Sequence, residues 1–112
     1  MGLEDSIIGV YLIDGPYWKN SSAKKPLTNA AVLKNLQEAA GLVKQYFPEV
    51  AVMLTEAAPV IGAGNIRFPA NVDWIGPNCY LYYDECKTIP ELENLYHKLA
   101  QNFSSEQKMI LR

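Results

Sequence analysis

Continuous apolar runs and helix-like spacings alternate along the first half of the chain. Ile7 to Ile13 and Val50 to Leu54 form apolar runs, which are typical of strands covered on both faces of a parallel sheet. Between them, from about Asn29 to Phe47, apolar side chains recur every three or four residues. This spacing predicts an amphipathic helix that ends before Pro48. The first half therefore predicts a strand, a helix and a second strand.

The second half of the chain repeats this order. Val72 to Tyr83 predicts a third strand, which is rich in aromatic residues and made irregular by Pro77. Trp74 in this strand is expected to pack in the core. Thr88 begins a second predicted helix, because Glu91 three residues later completes a capping box. The final letters KMILR predict the start of a fourth strand.

The predicted elements follow the order β-α-β-(loop)-β-α-β, with a short turn of helix around residues 59–64 inside the loop. Strands that alternate with helices and are joined by right-handed crossovers build a parallel sheet. A chain of 112 residues has the usual size of one domain. The sequence thus predicts a single α/β domain over residues 1–112, with about four parallel strands.

Composition and charge exclude some classes of partner. The formal net charge of −2 provides no basic surface for nucleic acid or for anionic lipid. No apolar run reaches the roughly 18 residues of a membrane span. The opening letters MGLEDS show neither the basic nor the apolar region of a signal peptide. The compartment stays open, and a secreted parent protein is compatible with this observation.

The cysteines and the single histidine do not predict a metal site. Cys79 and Cys86 lack a nearby histidine, whereas zinc normally takes four nitrogen or sulfur ligands in short-spaced pairs. We expect both thiols to be free. His97 lies in the second predicted helix and is expected on its surface. No cofactor and no metal are predicted.

Carboxylates and aromatic rings follow the predicted strands. In parallel α/β folds these positions meet at one end of the sheet, where functional sites lie. The candidates for catalysis are Asp14 and Glu56, and those for substrate binding are Tyr17, Trp18, Tyr80, Tyr82 and Glu85. Aromatic rings can stack on the C–H face of a sugar while carboxylates bind its hydroxyls, and two carboxyls can cleave a glycosidic bond. The chain therefore predicts a saccharide ligand.

Local structural roles compete with these assignments. Asp14 precedes Gly-Pro, so its side chain could simply cap backbone N–H groups in a turn. Glu85 lies next to a predicted helix start, where a negative charge favours the positive end of the helix dipole. Both interpretations stay open at the level of the sequence.

The segments GVYLIDGPYW, VAVMLTEAAPVI and VDWIGPNCYLYY resemble consecutive strands of the (β/α)8-barrel glycoside hydrolase superfamily, in particular its bacterial members. The resemblance implies a partial, TIM-type barrel, and its bacterial members would be compatible with an envelope or secreted parent. In those relatives the first segment usually reads Asp-Glu-Pro, and the glutamate is the candidate acid. Gly15 occupies that position here, which implies that hydrolysis is inefficient. Asp14 and Glu56 match the remaining candidate positions.

The length of the chain bears on how such a fold could be completed. A complete barrel needs eight strands and about 250 residues, and half of one would leave two strand edges and its inner face uncovered. We therefore expect a homodimer of two four-stranded halves. A small, doubly wound open sheet is the alternative fold. The functions kept open are an inactive partial barrel, a carbohydrate-binding or assembly module, and an active hydrolase that uses Asp14 and Glu56.

Overall fold

A computed structural model describes residues 9–64, 66–80, 82–103 and 107–109. The strands of this part are β1 (Gly9–Asp14), β2 (Ala51–Ala57), β3 (Trp74–Asn78) and β4 (Lys108–Met109). The α-helices are α1 (Pro16–Ser21), α2 (Asn29–Tyr46), α3 (Ala58–Ala63) and α4 (Ile89–Ala100), and a short 3-10 helix, Asp84–Cys86, precedes α4.

The strands form one four-stranded sheet in the order β1-β2-β3-β4, and each neighbouring pair is parallel. The predicted α/β fold with a parallel sheet is confirmed. The strand order follows the chain order without reversal in the described part. A doubly wound sheet needs such a reversal, so this alternative is not the arrangement found.

The core lies on one face of the sheet, between the strands and the helices. Val52 and Leu54 of β2 and Ile75 of β3 are fully buried there. They pack with side chains from α2, α3 and α4, namely Val32, Leu36, Ala40, Ile61, Leu95 and Leu99. Consecutive right-handed crossovers explain why these helices share a face.

The opposite face of the sheet, which we call the open face, carries Tyr11, Met53 and Trp74 in one row across β1, β2 and β3. In the described part of the chain it remains accessible, with 48% of Tyr11 and 39% of Trp74 exposed. The prediction that Trp74 packs in the core was therefore wrong. Neighbouring residues of a strand point to opposite faces, and Ile75 takes the side towards the helices.

β1 contains one irregularity. Gly9, Val10 and Tyr11 pair in step with Ala51, Val52 and Met53, but the next pair joins Ile13 to Leu54, so Leu12 is an extra residue. After this bulge the register continues with Asp14 opposite Thr55.

Two threonines fix the starts of the long helices. The Thr28 hydroxyl accepts a hydrogen bond from the Ala31 N–H (3.1 Å), and the Thr88 hydroxyl accepts one from the Glu91 N–H (3.3 Å). The predicted helix start at Thr88 is confirmed, and the predicted turn at residues 59–64 is present as α3. The helical turn α1 was not predicted.

Cys79 and Cys86 form a disulfide, with their Cα atoms 5.7 Å apart. The prediction of free thiols was wrong. The third strand was predicted to continue to Tyr83, whereas β3 ends at Asn78 and the chain then turns back. The Tyr83 N–H donates to the Tyr80 carbonyl (2.9 Å). The turn brings the two cysteines within the usual range of Cα distances for a disulfide.

We expect the Cys79→Ser/Cys86→Ser variant to lose roughly 2–3 kcal/mol of unfolding free energy, because the cross-link closes a short loop in the unfolded chain. Urea unfolding followed by circular dichroism measures the difference. Reducing agent should destabilise the wild type and leave the double variant unchanged. Two titratable thiols in the unreduced, denatured wild type would contradict the disulfide.

Candidate functional site

The carboxylate of Asp14 joins the ends of three strands. Its Oδ1 accepts a hydrogen bond from the Thr55 hydroxyl of β2 (2.8 Å) and another from the side-chain amide of Asn78, the last residue of β3. The Tyr11 hydroxyl is hydrogen-bonded to the same Thr55 hydroxyl. Since Thr55 gives its only proton to Asp14, Tyr11 is the donor in this contact. The network holds Asp14 in a fixed position at the carboxyl end of the sheet.

A cavity of about 260 Å³ lies beside Asp14. It is lined by Asp14, Gly15, Trp18, Lys19, Ala57, Asn78, Tyr80, Tyr82 and Tyr83. The lining combines one carboxylate, one ammonium group, one carboxamide and four aromatic rings. All of these residues follow or end the first three strands, as expected for the carboxyl end of a parallel sheet.

The aromatic wall of this cavity comes mainly from the segment between the bonded cysteines. The rings of Tyr80 and Tyr82 stack, with centroids 5.5 Å apart, and Tyr83 meets both edge-on at 5.5 Å and 4.6 Å. Trp18 of α1 adds a tilted contact to Tyr83 at 6.3 Å. A hydrogen bond with Tyr82, which favours the neutral form of Tyr83, is the largest of the influences that together raise the pKa of Tyr83 to about 12. The Tyr83 hydroxyl is therefore neutral near pH 7.

Glu56 lies behind the cavity and is fully buried. Its Oε2 accepts a hydrogen bond from the Tyr17 N–H (2.8 Å), and its Oε1 accepts from Trp18 (3.2 Å) and Ala57 (2.9 Å). Burial raises the pKa of Glu56, the three N–H groups oppose that rise, and the nearby charge of Asp14 adds to it. The carboxyl group thus holds the first turn of α1 against β2 and is not part of the cavity lining.

Gly15 connects Asp14 to α1 in a left-handed backbone conformation, with φ +64°. Its N–H donates to the Thr55 carbonyl (2.8 Å). Residues with a Cβ rarely adopt this conformation, although a Cβ here would make only an ordinary contact, 3.7 Å from Oε1 of Glu56. The resemblance implies a glutamate at this position. The left-handed backbone found here favours glycine instead.

The structure separates the predicted site residues into four groups. Asp14, Trp18, Tyr80 and Tyr82 line the cavity, and Glu56 lies behind it. Tyr17 is 4% exposed and its ring meets Phe68 edge-on at 6.0 Å, so it belongs to the core.

Glu85 lies elsewhere, in a cavity of about 190 Å³ that it shares with Glu91 and Lys98. Sequence reasoning missed Asn78 and Lys19 as lining residues. Asn78 could have been found as the polar end of the third strand, had that strand been predicted to end there. The sequence did not indicate Lys19 as a lining residue, because α1 was not predicted.

The described residues contain neither a candidate metal site nor a helix that could span a membrane. Among them, no three His, Cys, Asp or Glu side chains lie close enough to hold a metal ion. No helix of residues 9–64, 66–80 or 82–103 is both long and apolar enough to cross a membrane. His97 is exposed on α4, as predicted.

We expect the unfolding free energy of the wild type to fall as the pH rises from 4.5 through the folded-state pKa of Glu56. The folded pKa lies above the ordinary value of 4.5, so the folded protein keeps a proton that the unfolded chain releases. Urea unfolding across this pH range should show a slope that Glu56→Gln loses.

Glu49→Gln, which alters an exposed carboxyl, is the matched control and should keep that slope. Identical slopes in the wild type and Glu56→Gln would contradict the raised pKa.

Comparison with models of protein families, with curated proteins and with solved structures gives no match to this chain. The geometry of the cavity and the resemblance of the three strand segments are the features of this chain that bear on its function.

Proposed function

We propose that the cavity beside Asp14 binds a saccharide, and that the chain is a partial, glycoside-hydrolase-like barrel without efficient hydrolysis. The observation that carries this proposal is a positioned carboxylate facing a wall of aromatic rings. Asp14 is held by Thr55 and Asn78, and the rings of Trp18 and the tyrosines stand around the same cavity.

The chemistry of the lining suits a polyhydroxylated ring. Asp14 can accept hydrogen bonds from sugar hydroxyls, and Asn78 and the tyrosine hydroxyls can both donate and accept. The exposed faces of Tyr82 and Trp18 offer apolar area to the C–H side of the sugar. The volume of about 260 Å³ lies below the roughly 300–1,000 Å³ of drug-sized ligand sites, which favours a single sugar ring within the cavity.

Two features argue against efficient hydrolysis. Asp14 is the one carboxyl among the residues that line the cavity, whereas glycosidic cleavage normally needs two. Glu56, the other candidate, is buried, and both of its oxygens accept backbone hydrogen bonds. A general acid must reach the group that it protonates, and Gly15 has no side chain to take that role.

We also propose that the sheet is a partial barrel and that the chain self-associates. In the described residues, the parallel strands follow the chain order and the helices pack on one face of the sheet, as they do in βα barrels. The exposed aromatic rings of the open face and the outer edges of β1 and β4 are the surfaces that natural proteins usually cover. A second copy of the chain would cover them.

Saccharide binding can be followed through Trp18, because Trp74→Phe removes the only other tryptophan. We expect oligosaccharides from a panel to change the Trp18 fluorescence in this background. Asp14→Asn should weaken binding roughly tenfold, because hydrogen bonds to a charged acceptor are among the stronger ones. Tyr82→Ala should weaken it too, and Tyr46→Ala, which removes a similarly exposed ring on α2, should not.

The same variants test the alternative of an active hydrolase that uses Asp14 and Glu56. Turnover of aryl glycosides by the wild type, lost in Asp14→Asn, would replace the binding proposal with that alternative. The absence of any fluorescence change and of any heat of binding across the panel would end the saccharide proposal.

Light scattering at micromolar concentration tests self-association. We expect a particle with twice the mass of one chain, because a pair of four-stranded sheets can complete eight strands. A well-folded monomer at tens of micromolar would contradict it. This result is independent of saccharide binding.

A further inference from the structure

We propose that two copies of the chain meet through two apolar grooves at opposite edges of the sheet, with α4 of one copy packed against α2 of the other. This inference rests on the proposed self-association and names the surfaces that carry it. The groove beside β1 is called the α2 groove, and the groove beside β4 is called the α4 groove.

The α2 groove is lined mainly by apolar side chains. It has a volume of about 450 Å³ and runs between the outer edge of β1 and α2. Leu12 and Ile13 of the β1 bulge form one side, Leu36 of α2 forms the other, and Leu27 stands at its border with half of its surface exposed. The one charged residue in this lining is Lys19.

The α4 groove lies at the opposite edge of the sheet, beside β4, and has a volume of about 510 Å³. Its apolar lining includes Leu92 and Tyr96 of α4 and Met109 of β4. Ile89, in the first turn of α4, is 73% exposed. Glu93 is the acidic residue of this lining.

The two grooves share an apolar character and carry opposite charges. Each is mainly apolar and of similar volume, and Lys19 in one has the opposite charge to Glu93 in the other. An interface needs an apolar centre with compatible polar groups at its border. The two grooves flank the two outer strands of the sheet, so they become neighbours when β4 of one copy lies beside β1 of the other.

This arrangement closes with two-fold symmetry. Each copy contributes one α2 groove and one α4 groove, so a pair of copies has two identical joints and leaves neither groove uncovered. At each joint, α4 of one copy packs against α2 of the other, which gives the exposed Leu27 and Ile89 a buried environment.

The first test places a charge in each groove. We expect Leu27→Asp and Ile89→Asp each to weaken dimerisation about tenfold or more, as measured by sedimentation equilibrium, because a carboxylate would be buried at both joints. Leu42→Asp is the matched control: Leu42 is 56% exposed on α2 and lines neither groove. Circular dichroism checks that each variant is folded.

The second test uses the charges at the borders of the grooves. We expect Lys19→Glu and Glu93→Lys each to weaken dimerisation about fivefold when alone, because like charges then meet at both joints. An equimolar mixture of the two variants should regain it, since both joints of the mixed dimer bring opposite charges together. Lys19 also borders the saccharide cavity, so the measured quantity is particle mass and not ligand binding.

The possible results separate this inference from the proposals on which it rests. A dimer that responds to the groove variants, spares Leu42→Asp and is regained in the mixture supports the inference. A dimer in which the groove variants behave like Leu42→Asp, or in which the mixture regains nothing, overturns it and leaves self-association standing. A monomeric wild type overturns both, whereas saccharide binding is decided by fluorescence.

Discussion

The hydrogen bonds that Asp14 accepts from Thr55 and Asn78 connect β1, β2 and β3 at one carboxylate. They can form only because the three strands run in the same direction and end at similar heights, with Asp14 opposite Thr55 and Ala57 opposite Asn78. A buried or half-buried polar network is stable when its members satisfy one another. Here the network also fixes the direction in which the first strand leaves the sheet, and thereby places α1 and Trp18 over the cavity.

The two acidic residues at this end of the sheet have different environments and therefore different roles. Glu56 is buried and accepts hydrogen bonds from three backbone N–H groups, so its carboxyl group supports the fold. Asp14 keeps part of its surface accessible and lines the cavity. Two acidic side chains near the ends of neighbouring strands are thus divided by their surroundings into a structural group and a ligand-binding candidate.

The sequence pattern predicted the elements that depend on local periodicity. The helix around Val32 and Leu36, the capped start at Thr88 and the parallel order of the strands follow from spacing, cap chemistry and the right-handed crossover rule. The end of β3 could not be predicted in this way, because Cys79 to Tyr83 continue to look like a strand.

Three further errors have the same origin in tertiary structure. The disulfide depends on the turn after Asn78, the exposure of Trp74 depends on which face of the sheet the helices cover, and the core position of Tyr17 depends on an unpredicted helical turn. Part of the candidate site was still found, since Asp14, Trp18, Tyr80 and Tyr82 all lie at the ends of strands or just after them. The saccharide ligand and the homodimer stay predictions.

The bulge at Leu12 determines which face of the sheet the Asp14 side chain points to at the end of β1. If β1 continued in step with β2, Asp14 would pair with Glu56 and would point towards the helices, while Ile13 would take the place beside Thr55. The extra residue reverses this alternation. In a protein of this kind, the gain or loss of a single residue in the middle of a strand would thus move a carboxylate between the interior and the rim without changing the identity of any side chain.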